Sequence, residues 1–219
     1  MRHGSVDYFR ADGSPVHPHT VQLNAAGREQ ADAAGALFKQ CGVRFDRVIV
    51  SGLNRTVETA ERVLAASGQS LTLESMAALE EIRGGRLVDI PPDQVEAAFL
   101  GAFTQGVETQ RFLGGESIGE MLDRVLPAFE SVLARDDWSS LLLVLHGGVN
   151  RALLARAMTG GRAFFGRMEQ LPACINIVDV DRSGDMVVRS VNLAPTQWLH
   201  QHESLTTMEK LLAQYLRLT

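Results

Sequence analysis

Two histidines that precede glycine are the residues in this sequence best suited to chemistry. His3 lies in an Arg-His-Gly segment at the start of the chain, and His146 opens a His-Gly-Gly segment directly after the apolar run 141–145. Because that run is typical of a strand buried in a parallel sheet, we expect His146 at the carboxyl edge of the sheet. The helix that follows can then direct its free N–H groups at an anion. An ordinary turn at His3 and a buried, hydrogen-bonded histidine at 146 are the alternatives for each motif alone.

A cation and an acid complete the set of candidate residues. The segment 51–56 repeats the order of strand, glycine turn and helix start, and it places Arg55 in the first helical turn. A positive charge there is unfavourable with the helix dipole, which indicates an anionic partner, although a solvated surface arginine is the alternative. Glu80 and Glu81 precede a glycine turn, and a glutamate can protonate a leaving oxygen. Adjacent glutamates point apart, so at most one should face a site, and a solvated acid pair is the alternative.

Helices and strands that alternate along the chain must position these residues. Asn24 is suited to cap the first helix, and capping-box patterns stand at Ser117 with Glu120 and at Thr206 with Glu209. The alternation predicts a three-layer α/β/α sandwich around a mainly parallel central sheet. Helical patterns cover 23–42, 55–67, about 91–103, 117–135, 149–158 and 206–216, and strand patterns cover 47–51, 71–73, 141–145, 175–180 and 186–191.

Composition restricts the classes of function that the chain can have. The 219 residues predict a single domain over 1–219, with a helical lid or insertion at about 84–115. The net charge of −5 argues against a nucleic acid or an anionic membrane as partner, but it allows a small anionic substrate. We find no apolar run long enough to span a bilayer and no secretory signal. Cys41 and Cys174 are interpreted as reduced thiols of a cytoplasmic protein, with a lone disulfide as the alternative.

Taken together, the motifs resemble the histidine phosphatase superfamily, also called the phosphoglycerate mutase-like family. Six matching segments occur in the order typical of that family and extend from Arg2 to Arg151. They are Arg-His-Gly at 2–4, the helix opening at 23–31, Ser-x-Leu-x-Arg-x-x-x-Thr-Ala at 51–60, Leu-x-Glu ending at Glu81, Gly-Glu-Ser at 115–117 and His-Gly at 146–147. The resemblance implies the phosphoglycerate mutase-like fold.

The resemblance also implies a phosphohistidine mechanism. His3 would be the nucleophile, with one ring nitrogen donating to a backbone carbonyl and the other free to attack phosphorus. Glu81 would protonate the leaving oxygen and then activate water. A protonated His146 would neutralise phosphoryl charge in the transition state. The phosphate-binding set that the resemblance implies consists of Arg2, Arg55, His146 and the N–H of Gly147.

No metal or other cofactor is expected, because arginine and imidazolium supply the positive charge. His17 and His19 resemble a metal-ligand pair, but no acidic or cysteine partner accompanies them, and we interpret them as part of a loop. The expected partner is a small phosphorylated substrate, with no nucleic acid and no membrane. A homodimer is left open, since the final helix can pack on the core, which we favour, or on a second copy.

Departures from the family pattern favour hydrolysis. The segment 5–9 lacks the asparagine that often follows Arg-His-Gly, and Gly148 stands where true phosphoglycerate mutases place asparagine. The Trp-Asn and Gly-Trp motifs of those mutases are also missing. We therefore expect a phosphomonoester hydrolase, with a phosphomutase or a catalytically silent phosphoester-binding protein as alternatives. Candidate substrate contacts, each of which surface exposure would equally explain, are Tyr8, Arg10, Arg83 and Arg86.

The start of the chain carries one further expectation. In the family, the first strand precedes Arg-His-Gly and lies centrally in the sheet, whereas here only Met1 precedes Arg2. Loss of a central strand would leave backbone groups of both neighbouring strands unpaired. The sequence therefore predicts that the native chain begins upstream of Met1.

Overall fold

A computed structural model describes residues 1–10, 12–181, 183–197 and 205–217. Short 3₁₀ turns lie at Ala77–Leu79, Leu87–Asp89 and Pro92–Gln94. The helices are α1 (Ala25–Gln40), α2 (Asn54–Ser67), α3 (Val95–Gln105), α4 (Ile118–Leu133), α5 (Gly147–Thr159) and α6 (Thr207–Leu216). The strands are β1 (Arg47–Val50), β2 (Leu73–Ser75), β3 (Leu141–Val144), β4 (Ile175–Val180) and β5 (Met186–Leu193).

A parallel sheet with the order β2-β1-β3 forms the centre of the molecule. Val48 in β1 pairs with Leu73 on one side and with Leu142 on the other. All three strands therefore end at the same edge of the sheet, the edge at which ligands bind in folds of this class. The antiparallel hairpin of β4 and β5 follows, as the sequence predicted.

The first three residues continue this sheet beyond β3. The His3 N–H donates to the Leu145 carbonyl at 2.9 Å, and the Leu145 N–H donates to the Met1 carbonyl at 2.9 Å. On the other side, the Arg2 N–H donates to the Cys174 carbonyl, directly before β4, at 3.0 Å. His3 therefore stands in the interior of the sheet, at its carboxyl edge.

Helices cover both faces of the sheet and complete the predicted three layers. Helices α1 and α2 pack on one face, where Ala34 and Val63 lie against Val48 and Val144. Helices α4 and α5 pack on the other face, in a core that includes Ile49. Because successive strand residues point to opposite faces, Val48 and Ile49 belong to different cores.

Capping residues fix most helix ends where the sequence placed them. The Asn24 side chain accepts from the Gly27 N–H, and both predicted capping boxes are present. Helix α5 begins at Gly147 rather than at the predicted position 149, because His146 itself takes the N-cap position. Strand β2 lies two residues later than predicted, since its bounds depend on pairing with β1.

Helix α6 packs on α3 within the region predicted to cover the cleft. The Tyr215 ring lies 5.5 Å from that of Phe99 and 6.3 Å from that of Phe9, and Leu212 is buried between them. This contact agrees with the interpretation that the final helix packs on its own chain. No helix in the described ranges is long and apolar enough to cross a membrane.

An apolar cavity of about 490 Å³ lies between β3 and β4. The edge of β3 that faces the cavity meets the start of the chain, where Arg2 pairs with Leu145 and the Met1 ammonium donates to the Leu143 carbonyl at 2.5 Å. The cavity therefore lies next to Met1, alongside the first residues of β3. It is lined by Met1, Phe38, Phe129, residues 141–143, Leu153 and residues 175–180, among others.

Candidate active site

His3 has a fixed ring orientation and a defined tautomer. It is 2% exposed, and its Nδ1 lies 2.7 Å from the Gly4 carbonyl oxygen. Because a carbonyl oxygen only accepts, Nδ1 carries the hydrogen. Nε2 then holds a lone pair, which accepts from Arg55 Nε at 3.3 Å. This is the nitrogen that is available as a nucleophile.

His146 lies beside His3 and is oriented by a hydroxyl pair. The two ring centroids are 5.2 Å apart, and His146 Nε2 is 2.8 Å from Ser51 Oγ. The Thr56 hydroxyl donates to the Leu53 carbonyl at 2.8 Å and lies 3.0 Å from Ser51 Oγ. Since the Thr56 hydrogen is used, Ser51 donates to Thr56 and accepts from His146. Nε2 of His146 therefore carries its hydrogen, and Nδ1 is the unprotonated nitrogen.

Arg2 and Arg55 bring two buried guanidinium groups to the same place. Arg55, 2% exposed, also donates through Nη1 to the Pro18 carbonyl at 2.7 Å. Arg2, 8% exposed, donates through Nη1 to the Gln170 carbonyl at 2.5 Å and to Thr207 Oγ1 at 2.8 Å. The loop 17–19 and helix α6 thus form walls of the site.

Two buried polar atoms in this cluster have no hydrogen-bond partner. Within the described ranges, such side-chain atoms are Arg2 Nε, His146 Nδ1 and Glu169 Oε2. Buried polar groups are almost always paired, so an unpaired N–H on a buried guanidinium is suited to an anionic ligand. An oxyanion placed here would accept from Arg2 Nε and, after proton uptake, from His146 Nδ1.

Burial and positive neighbours shift both histidines toward the neutral form. Burial lowers the pKa of His3 well below 6.5, and Arg55 and Arg2 lower it further. Burial lowers the pKa of His146 in the same way, with Arg55 and His3 adding to the effect. Burial and the nearby positive charges therefore favour neutral His146 in this structure, whereas the expected protonation of His146 concerns the transition state and stays a prediction. A bound dianion would reverse that balance.

Glu81 reaches the site through the first turn of α5. Its two carboxylate oxygens accept from the Gly148 N–H at 3.1 and 3.0 Å. A Cβ at position 148 would lie 2.5 Å from Glu81 Oε1, so a larger residue there would displace the carboxylate from this position. Glu80 turns away and lies 3.5 Å from Arg83, which matches the expectation that at most one of the two acids faces the site.

The remaining candidates fall into two groups. Gly147 is the first residue of α5, beside Arg2 and Glu81, where its N–H belongs to the positive end of the helix. Arg83 and Arg86 are exposed, with side chains 59% and 78% accessible, and Arg10 bonds locally to Ser14. The structure therefore groups Arg2, His3, Arg55, Glu81, His146 and Gly147, and it places those three arginines outside this cluster.

Residues that the sequence interpretation did not assign also support the site. Thr59 Oγ1 accepts from the Gly4 N–H at 3.1 Å, and the Gln170 side chain accepts from Asn150 and Asn176 while its carbonyl holds Arg2. Ser51 and Thr59 lie within the matched segment 51–60, which could have identified them. Gln170 lies in no recognised motif, and its role depends on tertiary contacts.

The sequence predicted no metal site. Within the described ranges, no three His, Cys, Asp or Glu side chains group in a way that could hold a metal ion. The His17 and His19 rings lie 5.4 Å apart on the exposed loop that contacts Arg55 through the intervening proline.

Comparisons with known proteins agree with this geometry. The sequence model of the histidine phosphatase superfamily (branch 1) matches residues 1–193. A Salmonella paratyphi A protein named "Probable phosphoglycerate mutase GpmB" is 32% identical over 190 residues, which cover 84% of each chain.

Solved structures share the fold at lower sequence identity. The alpha-ribazole phosphatase of Shigella flexneri superimposes with a TM-score of 0.66 at 23% identity, covering 88% of this chain and 94% of that one. A mycobacterial glucosyl-3-phosphoglycerate phosphatase in complex with inorganic phosphate gives 0.68 at 21% identity, covering 89% and 95%. A phosphoglycerate mutase from Bacillus anthracis gives 0.65 at 20% identity, covering 87% and 90%.

Proposed function

Because the chain belongs to the histidine phosphatase superfamily, we propose that it is a phosphomonoester hydrolase that acts through a phosphohistidine on a small phosphorylated metabolite. The observation that carries this proposal is the pair of unpartnered buried atoms, Arg2 Nε and His146 Nδ1, beside the unprotonated Nε2 of His3. A phosphoryl group bound at His3 Nε2 would give these atoms partners.

In the first step, His3 Nε2 attacks phosphorus and the bond from phosphorus to the leaving oxygen breaks. Glu81 transfers a proton to that oxygen, so the alcohol leaves neutral. Arg2, Arg55 and His146 neutralise the charge on the equatorial oxygens, which is where enzymes that transfer phosphoryl groups gain most of their rate. The products are the free alcohol and phosphorylated His3.

In the second step, water attacks the phosphorus of phosphohistidine. The Glu81 carboxylate takes a proton from that water, the bond between nitrogen and phosphorus breaks, and His3 regains its lone pair. Inorganic phosphate leaves and the starting state is restored. Guanidinium and imidazolium groups supply the charge that metal ions supply in other phosphoryl-transfer enzymes, so we propose that no metal or cofactor takes part.

A phosphomutase is the second candidate, and the name of the Salmonella relative favours it. A mutase must keep its phosphohistidine from water while the product reorients. Gly148 and the segment 5–9 differ from the pattern of the true mutases, and these departures support hydrolysis.

Phosphate release and isomerisation separate the two candidates. Purified protein is incubated with a panel of phosphorylated metabolites and, separately, with 3-phosphoglycerate, in the presence and absence of EDTA. We expect phosphate release that EDTA does not change, an acid-labile phosphoenzyme, and loss of both in His3→Ala. Isomerisation without phosphate release would favour the mutase, loss with EDTA would refute metal independence, and a near-wild-type His3→Ala would refute the mechanism.

A further inference from the structure

Building on the proposed hydrolase, we propose that the ion pair of Arg124 and Glu116 is the positioning device for the general acid Glu81. Neither side chain contacts the phosphoryl site. Both act on the backbone of the segment 80–83, which carries Glu81.

The segment around Glu81 has no regular secondary structure of its own. Residues 80–86 form neither helix nor strand, so their backbone carbonyls have no ladder to join. Buried carbonyls without partners are costly, and a segment that leaves them unpaired is free to shift. Something outside the segment must therefore fix the Glu81 backbone.

The guanidinium group of Arg124, on α4, donates to backbone carbonyls in and next to this segment. Nη1 donates to the carbonyls of Ala78 at 2.9 Å and Glu80 at 2.7 Å, and Nη2 donates to the carbonyl of Glu81 at 3.0 Å. The two remaining N–H groups donate to Glu116, from Nε at 2.7 Å and from Nη2 at 2.8 Å. All five donors of the guanidinium are thus used, two of them on the segment 80–83 and one on the 3₁₀ turn directly before it.

Glu116 holds the opposite end of the same segment. Its Oε2 accepts from the Arg83 N–H at 2.9 Å, and its own N–H donates to the Arg83 carbonyl at 2.8 Å. Arg124 and Glu116 therefore fix the chain on both sides of Glu81. Lysine could not replace Arg124, since it has one nitrogen and no planar fork.

Burial distinguishes this ion pair from the others. Its side chains are 16% and 10% accessible, and among the ion pairs of the described residues no other has both partners below one fifth. By contrast, Arg111 and Glu120, a bidentate pair nearby, are 54% and 52% accessible. A surface pair contributes little, whereas loss of one partner of a buried pair disturbs its surroundings strongly.

Dependence on the leaving group is the readout that separates positioning of the acid from a purely structural role. An alkyl alcohol needs a proton to leave, whereas dinitrophenolate does not. For Arg124→Lys and Glu116→Gln we expect kcat/KM for glycerol phosphate to fall on the order of 100-fold, as misplacement of a catalytic group predicts. For 2,4-dinitrophenyl phosphate we expect a fall within about 3-fold, because general acid catalysis is not required. Glu81→Gln should show the same pattern.

Two control variants are needed. One lowers stability without touching the ion pair, and the other replaces an arginine elsewhere. Val125→Ala, in the core beside Arg124 on α4, should lower the melting temperature without any dependence on the leaving group. Arg111→Lys should leave both substrates unaffected. Melting temperatures and circular dichroism of each variant show whether it is folded.

The outcomes distinguish this inference from the proposed function. If the wild-type protein releases phosphate and both variants lose activity equally on the two substrates, or lose none, the positioning role is overturned and the hydrolase stands. If the wild-type protein releases phosphate from neither ester and from no compound of the metabolite panel, the proposed function fails and this inference fails with it.

Discussion

His3 and Glu81 reach one site from two regions that are built differently. His3 lies in the sheet, where backbone hydrogen bonds to Leu145 and Ala173 hold its main chain on both sides. Glu81 lies on an irregular segment that side chains of another helix hold in place. The nucleophile is thus positioned by backbone pairing and the acid by an ion pair. Backbone pairing requires that the residues around His3 lie in the sheet. The position of Glu81 depends instead on two individual side chains.

The positioning of His3 by the sheet can be tested by filling the cavity between β3 and β4. We predict that four apolar residues, Leu-Val-Ile-Val, inserted directly before Met1 raise the free energy of unfolding by about 3 kcal/mol or more, from burial of their side chains. The inserted residues would lie in the apolar cavity between β3 and β4, which Met1 lines. Urea unfolding measures the gain.

An extension of equal length tests whether apolar burial is the cause. Ser-Thr-Ser-Thr in the same place pairs its backbone but buries no apolar side chain, so its gain should be much smaller. Equal gains from both extensions would show that apolar burial is not the cause, and no gain from either would show that the cavity does not accept a strand. Phosphatase activity measured alongside shows whether a longer strand also improves the positioning of His3.

The position of the Glu81 carboxylate can be tested at Gly148, whose N–H donates to it. We predict that Gly148→Ala lowers kcat/KM for an alkyl phosphate by roughly 100-fold, because its Cβ would lie 2.5 Å from Glu81 Oε1 and displace the carboxylate. Gly161→Ala is the matched control, since a Cβ there meets no atom within 4 Å. Full activity of Gly148→Ala in a steady-state assay would mean that the carboxylate works from another position.

The difference between the two regions also explains what the sequence could predict. Strand and helix patterns located β1, β3 and His146 after β3, since burial and capping are encoded locally. The matched motifs located Glu81. The contacts of Arg124 could not be predicted, because they join α4 to a segment more than forty residues away that has no periodic pattern. The hydrogen bonds of Ser51 and Gln170 depend equally on tertiary structure.

The stability that His146 contributes and the stability that the ion pair of Arg124 and Glu116 contributes should be lost in different pH ranges. The pKa of His146 is lowered, so the unfolded chain binds its proton first, and the stability that neutral His146 contributes is complete above pH 6.5 and is lost as pH falls below it. Burial acts to raise the pKa of Glu116, but the hydrogen bonds from Arg124 and Arg83 outweigh it and hold that pKa below 4.5. The contribution of the ion pair is therefore kept to lower pH and is lost only below 4.5.

Replacement of His146 isolates the first of these ranges. We predict that between pH 6 and 5 the free energy of unfolding of His146→Gln falls less steeply than that of the wild-type protein, by up to about 1.4 kcal/mol per pH unit. Urea unfolding at each pH measures the slopes. Inorganic phosphate should also flatten the wild-type slope, because a bound anion offsets the cost of protonating His146 in the folded protein. Equal slopes for the variant and the wild-type protein, with no effect of phosphate, would mean that folding does not lower the pKa of His146.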